Sequence, residues 1–207
     1  LANRLSENPN VTVLLVEAGG PDEKKEIHVP AAFGALLHSE VDWGYTQKGA
    51  CLMNEGKCAW SRGKVLGGSS SINAMMYTRG NKADYDEWER MGAKGWSYDE
   101  VLPYFKKSED DRSHGEEDYH GKGGLLNVEK AKFVTPISKA FVAAAKERGY
   151  PEVDYNGQSQ LGFSFTQFTI KDGKRHSTAT AFLHPIRKRH NLYVVTGKSV
   201  KKLAFDG

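Results

Sequence analysis

The sequence predicts a mixed α/β fold in which helices and parallel strands come first and antiparallel strands follow. Three observations carry this. Val11 to Val16 is a near-continuous apolar run, the form a strand takes when a parallel sheet buries both its faces. Side-chain helix caps follow at Asn81, Ser97 and Thr135. Phe163 to Ile170 then alternates apolar with polar residues, with one slip at Thr166-Gln167, which fits a half-buried antiparallel strand.

Taken in order, Leu1 to Glu7 reads as the tail of an amphipathic helix closed by Asn8-Pro9-Asn10. The Val11–Val16 strand ends in Glu17-Ala18-Gly19-Gly20. An acid at the carboxyl end of a second parallel strand is where dinucleotide folds hold an adenosine ribose. The matching glycine fingerprint lies about 20 residues earlier in such folds, which runs off the front of this chain, and no G-x-G-x-x-G occurs in it. Glu17 is therefore either a ribose acid or the polar turn after an ordinary strand. Residues 21–60 read as mostly irregular. Asn81 with Asp84, and Ser97 with Glu100, form two capping boxes; Gly92 closes the first helix and Pro103 kinks or restarts the second. Glu109 to Asp118 reads as a charged surface loop and not a metal site, because Arg112 and His114 stand where a calcium loop places acids. Thr135-Pro136 opens the clearest helix, with Ile137, Phe141, Ala144 and Ala145 on one face and Gly149 closing it. Ser177 starts a short helix, and Asn191–Thr196 and Ser199–Phe205 read as a pair of strands around Gly197-Lys198.

At 207 residues the chain has room for one large domain or two small ones. A net charge of +3 is too small to argue for nucleic acid, and no apolar run approaches the roughly 18 residues of a membrane span. The chain begins at Leu1 with neither Met nor a signal-peptide pattern, so N-terminal processing or truncation is expected. Cys51 and Cys58 stand alone without a zinc set, and both a short-loop disulfide and two thiols remain open.

The stretch Arg62 to Trp88, RGKVLGGSSSINAMMYTRGNKADYDEW, has the most unusual chemistry. Gly67-Gly68 strips side chains from the backbone so that another body can come close. Ser69 to Ser71 then favour a helix start, continued by Ile72 to Tyr77, and such a start suits a phosphate. Arg62 and Lys64 add positive charge just upstream. A tight turn before an ordinary helix is the plainer alternative. Other chemistries are missing: there is no G-x-S-x-G and no G-x-x-x-x-G-K-[ST]. No two histidines stand at metal-ligand spacing. His176 and His184 read as helix-flanking or core residues, and Arg187 to His190 as a solvated helix end.

Together, VLLVEAGG at 13–20 and the 62–88 stretch resemble the glucose–methanol–choline (GMC) family of flavin oxidoreductases, the latter matching that family's first signature along its whole length. Gly95 to Tyr98, Tyr119 to Gly121, Asp154 to Gly157 and Ser177 to Leu183 continue the likeness, which is greatest to the insect glucose-dehydrogenase-like branch. The resemblance implies an incomplete Rossmann-like FAD-binding domain over 1–125, lacking its first strand and glycine fingerprint. It places the start of an antiparallel-sheet substrate-binding region at 126–170 and a return to the FAD domain at 171–207.

By the same resemblance, Glu17 is the acid on the adenosine ribose of FAD. Arg62, Leu66, Gly67, Gly68 and Ser69 belong to the segment covering the pyrophosphate and flavin. Asn73, Ala74, Met75 and Met76 lie along the isoalloxazine ring, and the Val200 backbone contacts the adenine. Ile72 stands where some relatives carry a flavin-linked histidine, which implies non-covalent FAD. The family's catalytic histidine and its partner are expected beyond Gly207, so no catalytic residue is assigned. The expected reaction is oxidation of a small-molecule alcohol or sugar with hydride passing to flavin N5. A largely secreted branch implies an extracellular setting and a Cys51–Cys58 disulfide. Residues 1–207 alone are expected to be inactive and weak in FAD binding. Two alternatives stand beside this reading, a secreted non-catalytic relative that keeps the fold as a binding module and a nicotinamide-dependent enzyme. Substrate, electron acceptor and oligomeric state are not set by the residues.

Overall fold

The computed structural model describes residues 1–49 and 57–204. In chain order its elements begin with α1 (Ala2–Leu5), β1 (Val13–Val16), α2 (Lys25–His28), β2 (Tyr45–Lys48) and β3 (Lys57–Trp60). Next come α3 (Lys82–Arg90), α4 (Tyr98–Ser108), β4 (Glu109–Asp111), β5 (Leu126–Lys130) and α5 (Pro136–Glu147). The last are β6 (Gln167–Phe168), β7 (Ile170–Lys171), β8 (Lys174–Arg175) and β9 (Leu192–Val195). The mixture is the α/β one expected, and the chain divides into two compact units, residues 1–75 with 172–207 and residues 76–171. The second unit joins residues 76–125 to 126–171, across the expected boundary at 125/126.

In the first unit β1 lies parallel to β9, with Val13 opposite Leu192 and Val16 opposite Val195. Asn191 fixes the entry to this pair, its Nδ2 donating to the carbonyls of Ser6, Asn8 and Val11 at 2.9–3.1 Å. The strand is not buried on both faces as expected. Leu14 is 61% exposed, because β1 has one neighbour and one covered face among the described residues. That covered face joins Val13, Leu15 and Val194 to a cluster of Leu66, Ala179, Leu183, Ile186 and Leu192. A second cluster holds Ile27, Leu36, Val41, Val65 and Ile72.

Residues 21–60 are more ordered than their composition suggested, with α2, a 3₁₀ turn at Pro30–Ala35 and an antiparallel β2–β3 pair. Cys51 lies outside the described residues, and so does the 51–58 pairing. The expected strand at 199–205 is absent over its described part: residues 199–204 are irregular, and β9 takes β1 as its partner instead. Ser177 leads into a π-helical turn, Ala179–Leu183, as its hydroxyl accepts the Thr180 N–H at 3.2 Å.

In the second unit both capping boxes form, Asn81 with Asp84 before α3 and Ser97 with Glu100 before α4. Pro103 sits inside a continuous α4. Thr135 caps α5 by accepting the Ser138 N–H at 3.2 Å. The buried residues of α5 are Val142 and Ala145, so of the expected stripe only Ala145 is covered: Ile137 and Phe141 are exposed and border an open apolar groove with Phe133, Phe165 and Phe168. The predicted strand at 163–170 is realised as the short β6 and the start of β7, with β6 antiparallel to β5. The largest correction concerns Glu109–Asp118. Its first three residues form β4, parallel to β5, and Glu109, Asp111 and Ser113 are buried.

Candidate functional site

The Arg62–Asn73 stretch is held between the two apolar clusters of the first unit. Val65 and Ile72 anchor it in one and Leu66 in the other. Successive side chains point opposite ways, so the backbone between them cannot shift without unburying one cluster. Burying an aliphatic side chain is worth about 1.5–3 kcal/mol, which makes the anchorage strong for so short a segment.

Glycine at three positions lets this backbone run against others. A Cβ on Gly19 would stand 1.9 Å from the Lys64 carbonyl oxygen, and one on Gly63 would stand 2.2 Å from that of Gly68. One on Gly67, whose φ is +86°, would meet the Ser71 hydroxyl at 2.4 Å. The end of β1 therefore crosses the loop backbone on backbone, with the Leu66 N–H donating to the Gly20 carbonyl at 3.0 Å. In contrast, among the described residues nothing lies within 4 Å of a Cβ built on Gly20 or Gly68. These two glycines turn bare backbone to open space.

Hydroxyl groups finish the turn. Ser71 Oγ donates to the Leu66 carbonyl at 2.7 Å and Ser70 Oγ to that of Gly67 at 2.6 Å, while the Thr178 N–H donates to Ser70 Oγ at 2.9 Å. Ser69 Oγ accepts the Gly63 N–H at 3.1 Å. The result is a single 3₁₀ turn, Gly68–Ser71, and not the expected helix through Tyr77. Asn73 ends it by accepting the Met75 N–H on Oδ1 at 3.0 Å, and Met75, buried, takes a φ of +61°. A buried non-glycine residue in the left-handed region is strained, and such strain collects at functional sites.

Glu17 sits at the carboxyl end of β1. Its Oε1 accepts the Gly19 N–H at 2.7 Å, which turns the carboxylate back over the glycines and leaves Oε2 for another donor. The following turn of β9 is tied to the same spot, with the Gly197 N–H on the Gly19 carbonyl and the Lys198 N–H on the Glu17 carbonyl. Val200, exposed, follows two residues on. Arg62 is exposed, its guanidinium 5.2 Å from the Trp60 ring centre. Thus Glu17, Leu66, Gly67, Gly68, Ser69 and Asn73 are gathered on one framework of the first unit. Ala74 and Met75 follow on its chain, whereas Met76 is the first residue of the second unit.

Two residues that hold this framework left no mark in the sequence pattern. Asp42, buried, accepts the N–H groups of His38, Gly44 and Arg62 at 2.8–3.0 Å. Burial opposes its ionisation, yet these bonds and the Ser61 hydroxyl outweigh it and hold the carboxyl well below the usual range. The second is Arg175, only 2% exposed. Its Nε donates to the Ile27 carbonyl at 2.7 Å, and its Nη1 to the carbonyls of Ser70 and Asn73 and to Asn73 Oδ1 at 2.7–3.1 Å.

The second unit holds a different constellation. Arg79 Nη2 pairs with Glu109, and His120 bridges Glu109 (2.8 Å) and Asp154 (2.7 Å) through its two ring nitrogens. Burial disfavours the imidazolium, but the hydrogen bonds to Asp154 and Glu109 outweigh it and raise the His120 pKa to about 9. Glu109, Asp111 and His120 place ligand atoms within 4.8 Å of one another, the spacing of a metal set. Those atoms are already committed. Glu109 also accepts the Gly121 N–H, and Asp111 accepts from Ser113 and Gly115. A histidine with both nitrogens on carboxylates has no lone pair free for an ion. The cluster is a satisfied buried network.

Comparison with known proteins follows the same lines. The family model for GMC oxidoreductase matches residues 25–207. The chain is 46% identical over 209 residues to "Glucose dehydrogenase [FAD, quinone]" of Drosophila melanogaster, covering 98% of this chain and 33% of that protein. It is 43% identical over 210 residues to "Oxygen-dependent choline dehydrogenase" of Rhizobium etli (strain CIAT 652), covering 100% of this chain and 38% of that one. Among solved structures, pyridoxine 4-oxidase from Mesorbium loti superposes with a TM-score of 0.92 at 38% identity, over 100% of this chain and 41% of that one. The chain thus spans a little over a third of the length of these relatives. A loop whose glycines allow backbone to cross backbone, found in a sequence matched from end to end by such relatives, leaves one assignment: the chain belongs to the GMC oxidoreductase family.

Proposed function

We propose that this chain carries the FAD-binding core of an oxidoreductase that oxidises the hydroxyl group of a small alcohol or sugar. The observation that carries the reading is the crossing of the Glu17–Gly20 strand end with the Gly63–Ser69 loop. Its inner glycines are packed shut and its outer ones, Gly20 and Gly68, are bare toward open space. Such a cradle fits a diphosphate dinucleotide, which needs close backbone approach and an acid for its ribose. Relatives whose names specify FAD, glucose and choline support the same choice.

When bound, FAD supplies the hydride acceptor. In this reading Glu17 Oε2 accepts from ribose hydroxyls, while Oε1 stays on Gly19 and fixes the rotamer. Gly67, Gly68 and Ser69 present backbone to the pyrophosphate, beside Arg62 and Leu66. Asn73, pinned by Arg175 and by the Met75 N–H, is oriented rather than free, and with Ala74 and Met75 it is assigned to the ring. Met76 follows by sequence adjacency, and Val200 is assigned to the adenine. Ile72 is buried with Val65 and Leu36 and offers no atom for a covalent link, so the cofactor is held by non-covalent contacts.

The test is Gly68→Val in the full-length protein. A branched side chain at a φ of +56° is strained, and it fills the open face. Flavin content of the purified variant should fall to near zero. The wild type should be yellow and bleach anaerobically with an alcohol or sugar. Unchanged flavin occupancy in Gly68→Val would refute the reading.

A further inference from the structure

Arg175 combines three features that rarely occur together. It is 2% exposed. Among the described residues no acid pairs with it, and only the backbone carbonyls and the Asn73 side chain receive its bonds. Its Nη2 is buried and has no hydrogen-bond partner among the described residues. A buried charge is ordinarily paired, and a buried donor left unmade costs about 1–3 kcal/mol. Burial accordingly pushes the guanidinium down to about 10, far enough above neutrality that it stays charged.

We infer that Arg175 is a positioning residue for the flavin, an uncompensated buried cation behind the Ser70–Asn73 segment whose counter-charge is the anionic reduced ring. The inference rests on the FAD reading given above. Two-electron reduction of a flavin with uptake of one proton leaves one negative charge on the ring. A cation in a low-dielectric setting stabilises that charge more than the neutral oxidised ring. The guanidinium is one hydrogen bond from Asn73, which is assigned to the cofactor, and from the Ser70 carbonyl that follows the Gly67–Ser69 turn, and its Nε is fixed to Ile27. Arginine suits the place because its fork serves three separate carbonyls while keeping its charge, which lysine in the same burial would tend to lose.

The test uses the full-length, FAD-loaded protein and reads the flavin midpoint potential by equilibration with a reference dye. Arg175→Gln removes the charge and keeps an amide to serve part of the carbonyl set. It should shift the reduced-to-oxidised ratio at a fixed potential by about tenfold toward oxidised, which is a fall of ~30 mV for a two-electron couple. Arg175→Lys gives a separate arm. Its potential should match the wild type at low pH and fall at high pH as the buried amine deprotonates, a break absent from the wild type. An Arg175→Gln potential equal to wild type would overturn the inference. So would an Arg175→Lys profile without the added break, an outcome that decides the matter even if Arg175→Gln fails to fold. A merely structural role would lower FAD content and stability and leave the potential of the bound flavin unmoved. If the wild type binds no FAD, the cofactor reading itself fails; if it is loaded and the variants keep its potential, only the role of Arg175 fails.

Discussion

Gly19→Ala tests the strand-end crossing without touching any side chain. Gly19 does not occupy the left-handed region, so alanine is allowed by the backbone and only space decides. Its Cβ would stand 1.9 Å from the Lys64 oxygen, 2.1 Å from the Lys64 carbonyl carbon and 2.4 Å from the Val65 nitrogen. All three are backbone atoms, so no rotamer change relieves the clash, and the two segments must part by about an ångström. The Leu66 N–H to Gly20 carbonyl bond, 3.0 Å long, stretches with them. Overpacking of this kind costs about 1–3 kcal/mol, and the weakened hydrogen bond adds about 1 kcal/mol. Gly19→Ala should therefore lower the unfolding free energy of FAD-free full-length protein by roughly 2–4 kcal/mol in urea denaturation. Gly20→Ala is the matched control. Among the described residues nothing lies within 4 Å of its Cβ and its φ is outside the left-handed region, so stability should stay within about 0.5 kcal/mol of wild type. Equal stability for the two variants would refute the crossing.

His120 makes stability depend on pH in the alkaline range. Its pKa is raised in the folded state to about 9 from an ordinary 6.5, so its contribution is fully present below about pH 6.5 and is lost as pH rises through 9. Unfolding free energy should decline by about 3 kcal/mol over that window, and His120→Asn should flatten the decline; a wild-type profile flat from pH 6.5 to 9 would contradict the network. For the extracellular setting and disulfide that the resemblance implies, we propose that mass spectrometry of non-reduced secreted protein should show a Cys51–Cys58 bridge. Two free thiols in that material would argue against it.

Legibility from sequence followed locality. Asn81–Asp84, Ser97–Glu100 and Thr135–Ser138 are caps made by residues three apart, and all three formed where the pattern put them. The Arg62–Asn73 stretch also announced itself, since only glycine permits a backbone contact as close as that at Gly63. What the sequence hid are pairings between distant residues. Arg175 reaches Ile27, 148 positions away, and His120 reaches Asp154, 34 positions away. Those partners decide burial, so Glu109 looked like a surface acid although Arg79 and His120 draw it inside, with Asp111 buried beside it on Ser113 and Gly115. Ile72 to Tyr77 had the composition of a helix and failed to become one. The Asn73 side chain caps the turn locally, and Met75 is forced to a positive φ. Val11 to Val16 read as doubly buried because apolar runs report hydrophobicity and not the number of neighbours a strand acquires.

The most direct measurement is a titration of FAD into apo full-length protein, wild type against Glu17→Ala, followed by flavin fluorescence. Glu17 stands at the strand end with Oε1 on the Gly19 N–H, and the proposed function gives its Oε2 to the ribose. Losing hydrogen bonds to a charged acceptor costs about 1–3 kcal/mol, so the dissociation constant should rise by roughly 5- to 150-fold. Circular dichroism of the variant should match the wild type. Equal affinity for the two proteins, or a wild type that takes up no FAD, would contradict the account.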